Sequence, residues 1–316
     1  MRKAKALKKK SWFARYMERY NDMPKGLRKW KYPFIFFMAL PAMAGFAVWY
    51  VMVNINAILM AFADQNTGEL SFVNFQRLWG DVASGASEIL PALRNTLYFF
   101  ALGTVVMPVV VYLLAYFFYK KLPGAKVFRV ILFVPSIVSG IVIVTLFTNL
   151  VSPAGPISWV IYKITGNPLT DYLHRDGSSI WVILFYSFWF GFTGNLLIFM
   201  GTFNRLPESV IESAKLDGAN AFQELWFVIT PMAWSTLSTI VILSLTGIFT
   251  ASGPILLFTN GAYDTFTISF WIFLRTKDNA MYNYPAAVGL AFTVLGLPIV
   301  FLVWKLMNKA HSEVEY

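Results

Sequence analysis

The segment Pro207–Pro231 reads PESVIESAKLDGANAFQELWFVITP, and it interrupts two long apolar runs with charged and polar residues. Residues Glu208–Leu216 are helix formers, and the Asp217-Gly218 pair after them predicts a turn, because glycine adopts positive φ without steric cost. The piece Ala219–Val228 is helical again, since its large apolar side chains recur on one face. That face holds Phe222, Leu225 and Trp226. The segment therefore predicts an amphipathic helix-turn-helix.

The rest of the chain has the composition of a membrane protein. Of its 316 residues, 57% are hydrophobic and only 13% are charged, whereas soluble domains average about 25% charged residues. Since about 20 apolar residues cross a bilayer, the six apolar runs predict an all-α protein with six transmembrane helices. The runs are Tyr32–Ala63, Asn95–Tyr119, Val130–Tyr162, Gly177–Asn204, Leu225–Tyr263 and Asn279–Trp304. Pro153 and Pro156 predict the end of the third span, and Gly253-Pro254 the end of the fifth.

Several kinds of site are excluded by residues that the sequence lacks. Cysteine is absent and there are only two histidines, so we expect no disulfide, no metal site and no cofactor bound by this chain. No phosphate-binding loop of the form GxxxxGK[ST] is present, so the chain is not expected to hydrolyse ATP. Paired carboxylates that could act in catalysis are absent as well, which argues against an integral membrane enzyme.

Positive charge predicts the orientation of the chain. Twelve of the 26 Lys and Arg residues precede Tyr32, and eight more lie in the second loop, the fourth loop and the tail, leaving six for the other three loops. The positive-inside rule then places both termini and Pro207–Pro231 in the cytoplasm. We interpret the basic segment 1–31 as a contact with anionic lipid and not with nucleic acid. The transmembrane domain is predicted over 32–308, and a cytoplasmic tail over 309–316.

The hydrophilic segment resembles the cytoplasmic EAA loop of binding-protein-dependent ABC importer permeases. The family pattern, Glu-Ala-Ala followed by a glycine and a closing proline, stands here as Glu212-Ser213-Ala214, Gly218 and Pro231. Ser213 and Thr230 depart from the pattern. The resemblance implies that the loop 205–228 is the contact with an ATPase subunit. The residues implied in this contact are Glu212, Ser213, Ala214, Asp217, Gly218, Ala219, Phe222, Leu225 and Trp226.

The resemblance extends to the maltose/glycerol-phosphate type of sugar permease, and to the first permease of the pair. It is carried by Asn95-Thr96, Pro135, Met200-Gly201 and Tyr284-Pro285, while Asn260-Gly261-Ala262 departs from the usual Gly-Gly-Pro. It implies a bacterial inner-membrane importer with a second, related permease, two ATPase subunits that bind ATP and Mg, and an extracytoplasmic solute-binding protein. A sugar, in particular an oligosaccharide, is the implied substrate.

Polar and aromatic residues within the runs predict a substrate pathway, since sugars stack on aromatic faces and bond to amides and hydroxyls. Helix packing is the alternative explanation for each of them. The candidates are Tyr186, Trp189, Thr193, Asn195, Thr246, Thr250 and Asn149.

Two alternatives concern the substrate and its energy source. A polyol, a glycerol phosphodiester or a uronate oligomer would also suit an importer, although an anionic substrate should find cations in its path. Ionisable residues are absent from the six runs, which argues against proton coupling. The alternative for the energy source is sodium coupling, as in a secondary transporter, which would function without partners.

Overall fold

In the computed structural model the chain is described over residues 25–65, 67–85, 87–166, 170–250, 252–279 and 281–312. Within these ranges the secondary structure is helical, apart from an isolated β-bridge between Ala63 and Leu70. Two compact units, Met1–Leu59 and Met60–Tyr316, divide the chain. The basic segment before Lys25 and the last four residues lie outside the described ranges.

Six helical segments of the described chain are long and apolar enough to cross a membrane, which confirms the predicted fold class. They are Tyr32–Phe62 (span 1), Ile89–Tyr119 (span 2), Gly140–Thr165 (span 3), Ser179–Phe203 (span 4), Ala221–Phe249 (span 5) and Asn283–Lys309 (span 6). The other helices are Val73–Ser84, Ala125–Ile137, Glu208–Leu216, Ile255–Phe258 and Ile268–Asn279.

The first unit contains most of span 1, and none of its residues whose burial is described, 32–59, is buried. Its helix begins at Lys25, contains Pro33 and Pro41, and passes through a π-helical stretch at Phe46–Met52. Large apolar side chains are exposed along it; Trp49, for example, is 77% exposed. Such a surface is stable only against lipid or another apolar surface, as expected of a membrane span.

Span 3 differs from the sequence-based prediction at both ends. The apolar run from Val130 belongs first to the helix Ala125–Ile137, which ends where Val138 becomes extended, and span 3 then begins at Gly140. This helix ends at Val151 as the prolines predict, but Pro156 also begins a further helix, Pro156–Thr165. Proline suits that first position because its missing N–H would have no partner in the helix.

Span 5 begins earlier and ends earlier than predicted. Its helix starts at Ala221, contains a π-helical stretch at Glu224–Ile229, and ends at Phe249. The four-residue helix Ile255–Phe258 follows Gly253-Pro254, and it buries Ile255 and Phe258 against span 3 and span 4. The apolar end of the predicted run is therefore core and not membrane span.

Three clusters of buried residues follow one another along the second unit. The first joins span 2, span 4 and the start of span 5, with Phe199 and Phe203 fully buried. A second joins spans 3 and 4 with the residues after span 5. The third joins the start of span 2 to the helix Ile268–Asn279 and span 6. The residues 208–231, hereafter the hairpin, lie at the first of these clusters.

Candidate coupling site

The first helix of the hairpin has the predicted bounds and the predicted turn. It runs from Glu208 to Leu216 after Pro207, and Gly218 has a φ of +83°. The amide of Ala219 donates to the Ala214 carbonyl and that of Gly218 to the Lys215 carbonyl, both at 3.0 Å. These two bonds form the Schellman motif, in which a left-handed residue satisfies the last carbonyls of a helix. The turn therefore has one defined geometry.

The second helix of the hairpin begins at Ala221, two residues later than predicted. Asn220 Oδ1 accepts from the Gln223 amide at 2.8 Å, and Gln223 Oε1 accepts from the Asn220 amide at 2.9 Å. This reciprocal capping box fixes where a helix starts. The helix continues through the π-helical stretch Glu224–Ile229 into span 5, so the hairpin and the span share one helix.

The hairpin exposes four large apolar side chains, hereafter the apolar patch. Its members are Leu216 at 89% exposure, Phe227 at 73%, Phe222 at 66% and Trp226 at 43%. The rings of Phe222 and Trp226 lie 6.0 Å apart, so these two candidates do share a surface. Sequence reasoning missed Leu216 and Phe227, although the position of Leu216 beside the Asp217-Gly218 turn was a signal for an exposed tip.

Leu225 was predicted to belong to the same exposed face, and that prediction is wrong. Its side chain is 4% exposed and packs in the first core cluster. A π-helical turn contains an extra residue compared with an α-helical turn, so it shifts the direction of the side chains around it. The spacing of Phe222, Leu225 and Trp226 predicts one shared face only if the helix is a regular α-helix. The extra residue in the π-helical stretch turns Leu225 inward.

The remaining hairpin candidates lie at its surface or in its turn. Glu212, Ser213 and Asp217 are exposed, while Ala214 and Ala219 are half-buried. The Ser213 hydroxyl donates to the Ser209 carbonyl at 2.8 Å within its own helix. The hairpin surface therefore carries two exposed carboxylates, and among the described residues Ser213 bonds only within its own helix.

A buried ion pair that sequence reasoning missed lies beneath the hairpin. Lys120 Nζ donates to Glu224 Oε2 at 2.6 Å, and the Glu224 side chain is only 3% exposed. The second predicted run ends at Tyr119 and the fifth begins at Leu225, so neither run includes Lys120 or Glu224. Glu224 lies in the first turn of the observed span 5, just ahead of the predicted run Leu225–Tyr263, which itself holds no ionisable residue.

Tyr186 was predicted to line a pathway but is placed in the second core cluster. It is 3% exposed, its ring stacks on Phe190 at 5.6 Å, and Phe258 contacts it edge-on at 5.0 Å. Both of its faces are thus covered by neighbouring side chains. Trp189 is half-buried and its ring lies nearly parallel to that of Phe147, at 6.1 Å.

The polar pathway candidates are more accessible than the aromatic ones. Asn149, Thr246 and Thr250 are exposed, whereas Thr193 and Asn195 are half-buried. The hydroxyls of Thr246 and Thr250 donate to carbonyls of their own helix, and Thr193 donates weakly to Leu132. The Asn195 amide makes no hydrogen bond to any described residue, so it is free to bind a polar group.

The end of span 2 opposite the hairpin carries a polar cluster. Glu88 Oε2 accepts from Arg275 at 2.7 Å and from the Trp271 indole at 2.9 Å, and the Tyr284 hydroxyl donates to Asp81. These residues line a cavity of about 350 Å³. Glu88 is therefore paired with Arg275 and Asp81 is bonded to Tyr284, so the cluster joins the start of span 2 to span 6 and to the helix Ile268–Asn279.

The loop between spans 3 and 4 also carries a paired carboxylate. Burial opposes ionisation of Asp171, but hydrogen bonds from His174 and from the Leu173 amide hold the pKa of Asp171 below its usual range. The His174 ring lies edge-on to Tyr263 at 5.6 Å. Among the described residues, no group of three or more His, Cys, Asp or Glu side chains is arranged to hold a metal ion.

Residues 125–310 match the family described as "binding-protein-dependent transport system inner membrane component". The match covers more than half of the chain and includes the whole hairpin. The chain belongs to this family. It is accordingly a multi-pass inner-membrane component of a transport system.

Two relatives from Bacillus subtilis (strain 168) illustrate the similarity within the family. The galactooligosaccharides transport system permease protein GanP is 28% identical over 190 residues, which are 57% of this chain and 45% of the relative. The arabinooligosaccharides transport system permease protein AraP is 23% identical over 290 residues, 89% of this chain and 90% of the relative. The chain thus spans under half of one relative and most of the other.

A bacterial ABC transporter involved in the import of the acidic polysaccharide alginate has a chain of the same fold. The two chains are 21% identical with a TM-score of 0.75, and the alignment covers 90% of this chain and 99% of that one. A crystal structure of bacterial alginate ABC transporter in complex with alginate pentasaccharide-bound periplasmic protein gives a TM-score of 0.76. The fold is therefore that of an ABC transporter permease.

Proposed function

We propose that this chain is a permease subunit of an ATP-driven importer, and that it moves an oligosaccharide across the inner membrane by alternating access. The apolar patch of the hairpin carries the proposal, because it is exposed, aromatic and continuous with span 5. Membership of a binding-protein-dependent family supports it. The partners in this proposal are a second permease, two ATPase subunits that bind ATP and Mg, and a solute-binding protein.

The hairpin has the composition of a protein contact. Aromatic anchors in the centre of an interface supply most of its binding energy, and a polar rim surrounds them. Phe222 and Trp226 are the anchors, and Glu212 and Asp217 are the rim. Leu216 extends the contact at the tip of the turn, while Leu225 stabilises the hairpin from within. An ATPase groove that accepts this hairpin would sit on the cytoplasmic side, where the positive-inside rule places the loop.

Movement of the ATPase pair would then shift the hairpin and tilt span 5. Rigid-body rotation of helical units around a fixed site is a common route to alternating access. The second helix of the hairpin and span 5 form one continuous helix, so helical backbone alone connects the proposed contact to the membrane-spanning part. ATP hydrolysis itself belongs to the partner subunit, since this chain lacks a phosphate-binding loop.

An uncharged oligosaccharide is favoured over an anionic one by the pairing of two arginines. Arg94 and Arg275, at the end opposite the hairpin, each lie 2.7 Å from a carboxylate, that of Asp264 and that of Glu88. Each of these arginines therefore already has a carboxylate partner within the chain. The names of GanP and AraP, which refer to galactooligosaccharides and arabinooligosaccharides, support the same class. A uronate oligomer is the second candidate, because the alginate transporter shares the fold.

The proposal is tested by gentle purification of the chain from its native membrane, followed by identification of the proteins that come with it. We expect a second six-span permease and a P-loop ATPase, and we expect ATP-dependent uptake of a neutral oligosaccharide in reconstituted vesicles. A chain that is recovered alone and transports in vesicles without ATP would contradict the importer and favour ion coupling.

Replacing Gly218 by valine is expected to abolish uptake. A left-handed backbone costs a residue with a side chain about 1–2 kcal/mol, and a β-branched one more. No atom lies within 4 Å of the added Cβ, so the effect acts through the turn alone. The rate of uptake and the amount of the chain in the membrane are both measured for each variant. Gly80→Val, in an exposed helix with equally open space, is the matched control and should transport normally. Normal uptake by the Gly218→Val protein would show that the turn geometry is dispensable.

Replacing Asn195 by leucine is expected to lower uptake several-fold without changing assembly of the complex. The half-buried amide has no hydrogen-bond partner among the described residues, so its loss leaves no buried group unpaired. Competition between substrate and related sugars, measured as an apparent KM, separates a binding role from a packing role. An unchanged KM and uptake rate would assign Asn195 to helix packing.

A further inference from the structure

Two side chains on span 2 and the residue that caps its helix contact the start of span 5 at regular spacing. Tyr112, Tyr116 and Lys120 are separated by four residues each, so they lie in one row along the helix. The Tyr112 hydroxyl lies 2.8 Å from the Thr230 hydroxyl, and the Tyr116 hydroxyl donates to the Ala221 carbonyl at 3.0 Å. Lys120 completes the row through its ion pair with Glu224. Span 2 is therefore bonded to the hairpin over two helical turns.

The ion pair is the contact of this row that is most sensitive to the loss of one partner, because it is shielded from water. Lys120 Nζ lies 2.6 Å from Oε2 and 2.5 Å from Oε1 of Glu224, and the two side chains are 20% and 3% exposed. An exposed pair is screened by solvent and contributes little, whereas a buried charge is strongly destabilised when its partner is removed. The pair therefore holds the two helices at one relative position.

The π-helical stretch Glu224–Ile229 makes this pairing possible. It directs Glu224 and Leu225 toward span 2 while Phe222 and Trp226 stay exposed. The Thr230 hydroxyl donates to the Leu225 carbonyl at 2.7 Å, which ties the wide turn together from within. Such π-helical turns occur often at functional positions. Here the turn separates an outward face from a face bonded to span 2.

Span 2 is also bonded to the chain after span 5 at its other end. Arg94 pairs with the Asp264 carboxylate at 2.7 Å, and the Asn95 amide donates to the Asp264 and Phe266 carbonyls at 2.7 and 2.9 Å. The Thr96 hydroxyl accepts from the Ile268 amide at 3.0 Å. About 39 Å of helix separates Arg94 from Lys120 at 1.5 Å per residue. A displacement of one end of span 2 is therefore carried to the other.

We propose that the Lys120–Glu224 pair transmits movement of the hairpin to span 2, so that spans 2 and 5 move as one body when the ATPase acts. Lys120 and Glu224 are positioning residues of the transport cycle and bind neither substrate nor nucleotide. This inference rests on the proposed function, because it requires an ATPase bound at the hairpin. The ion pair connects the hairpin to span 2, in addition to the direct connection of the hairpin to span 5.

The test uses the complete complex in lipid nanodiscs, with ATP hydrolysis measured with and without the sugar-loaded solute-binding protein. Glu224→Gln keeps the shape of the side chain and removes its charge. We expect this variant to retain its ATPase subunits and its basal hydrolysis within twofold, and to lose stimulation by the loaded binding protein at least fivefold. The charge-exchanged protein, Lys120→Glu with Glu224→Lys, should recover at least half of the stimulation. A contact that only stabilises the fold would lower the yield of complex and leave its stimulation ratio unchanged.

Lys121→Met is the matched control, because Lys121 is the adjacent lysine and its side chain is exposed. It should behave as the unmodified chain does. Wild-type stimulation in an intact Glu224→Gln complex would overturn the inference. If that variant fails to assemble, Lys120→Met with Glu224→Met removes both buried charges together. Lost stimulation in the assembled double variant supports the inference, and normal stimulation overturns it. An unmodified complex without ATPase would overturn the proposed function itself, and the inference with it.

Discussion

Replacing Phe222 by alanine is expected to release the ATPase from the purified complex. The ring is 66% exposed, so its loss removes little from the stability of the chain itself. Truncation of an aromatic interface anchor costs about 2–4 kcal/mol, which corresponds to a roughly 30- to 1000-fold weaker complex. The measurement is the amount of ATPase recovered per permease at a series of protein concentrations, together with the ATP-dependent uptake of sugar.

Phe72→Ala is the control for this result. Phe72 is also 66% exposed, but it lies between the first two spans and not in the hairpin. We expect full recovery of the ATPase with that variant. Leu225→Ala separates surface from core, because Leu225 is buried: it should lower the thermal stability of the chain as well as uptake. Equal ATPase recovery from the Phe222→Ala chain and the unmodified chain would place the ATPase contact elsewhere.

Replacing Asn95 by leucine is expected to destabilise the chain strongly. The amide is fully buried and donates to the carbonyls of Asp264 and Phe266. Leucine leaves both partly buried carbonyls without this donor, at about 1 kcal/mol for each lost hydrogen bond. The loss of stability is measured as a lower unfolding temperature of the purified Asn95→Leu chain in detergent. It should also expose the segment 259–266 to protease.

Asn204→Leu is the matched substitution, since Asn204 is exposed at the end of span 4. Its unfolding temperature should stay close to that of the unmodified chain. Thr96→Val removes the acceptor for the Ile268 amide in the same network, and we expect a smaller loss of the same kind. An Asn95→Leu chain with unchanged unfolding temperature and protease pattern would show that the amide is not what holds this segment.

The parts of the structure that follow from local rules were predicted from the sequence. Glu208–Leu216 is helical because its residues favour helix and a proline precedes it, and Gly218 is left-handed because a glycine meets no steric cost there. The six spans follow from apolar runs long enough to cross a bilayer. Each of these features depends on neighbours within a few residues or on length alone, so a single sequence contains the necessary information.

The predictions that were wrong relied on regular helix periodicity or on residue type alone. Leu225 was assigned to the exposed face by its spacing, and the π-helical stretch turned it inward. Tyr186 was assigned to a pathway by residue type, and its neighbours enclose it in the core. The start of span 5 moved to Ala221 because a capping box fixed it. In each case the outcome was decided by a feature that the periodic pattern does not show: a π-helical stretch, packing in the core, or a helix cap.

The sequence by itself determined the membrane class, the six spans, and the amphipathic hairpin with its glycine turn. Only the tertiary structure decided that Lys120 meets Glu224 across 104 residues and that Asn95 holds a segment 169 residues away. The physical reason is the range of the forces involved. Helix formation and bilayer length are set by adjacent residues, whereas a buried polar group chooses its partner only after the helices have packed.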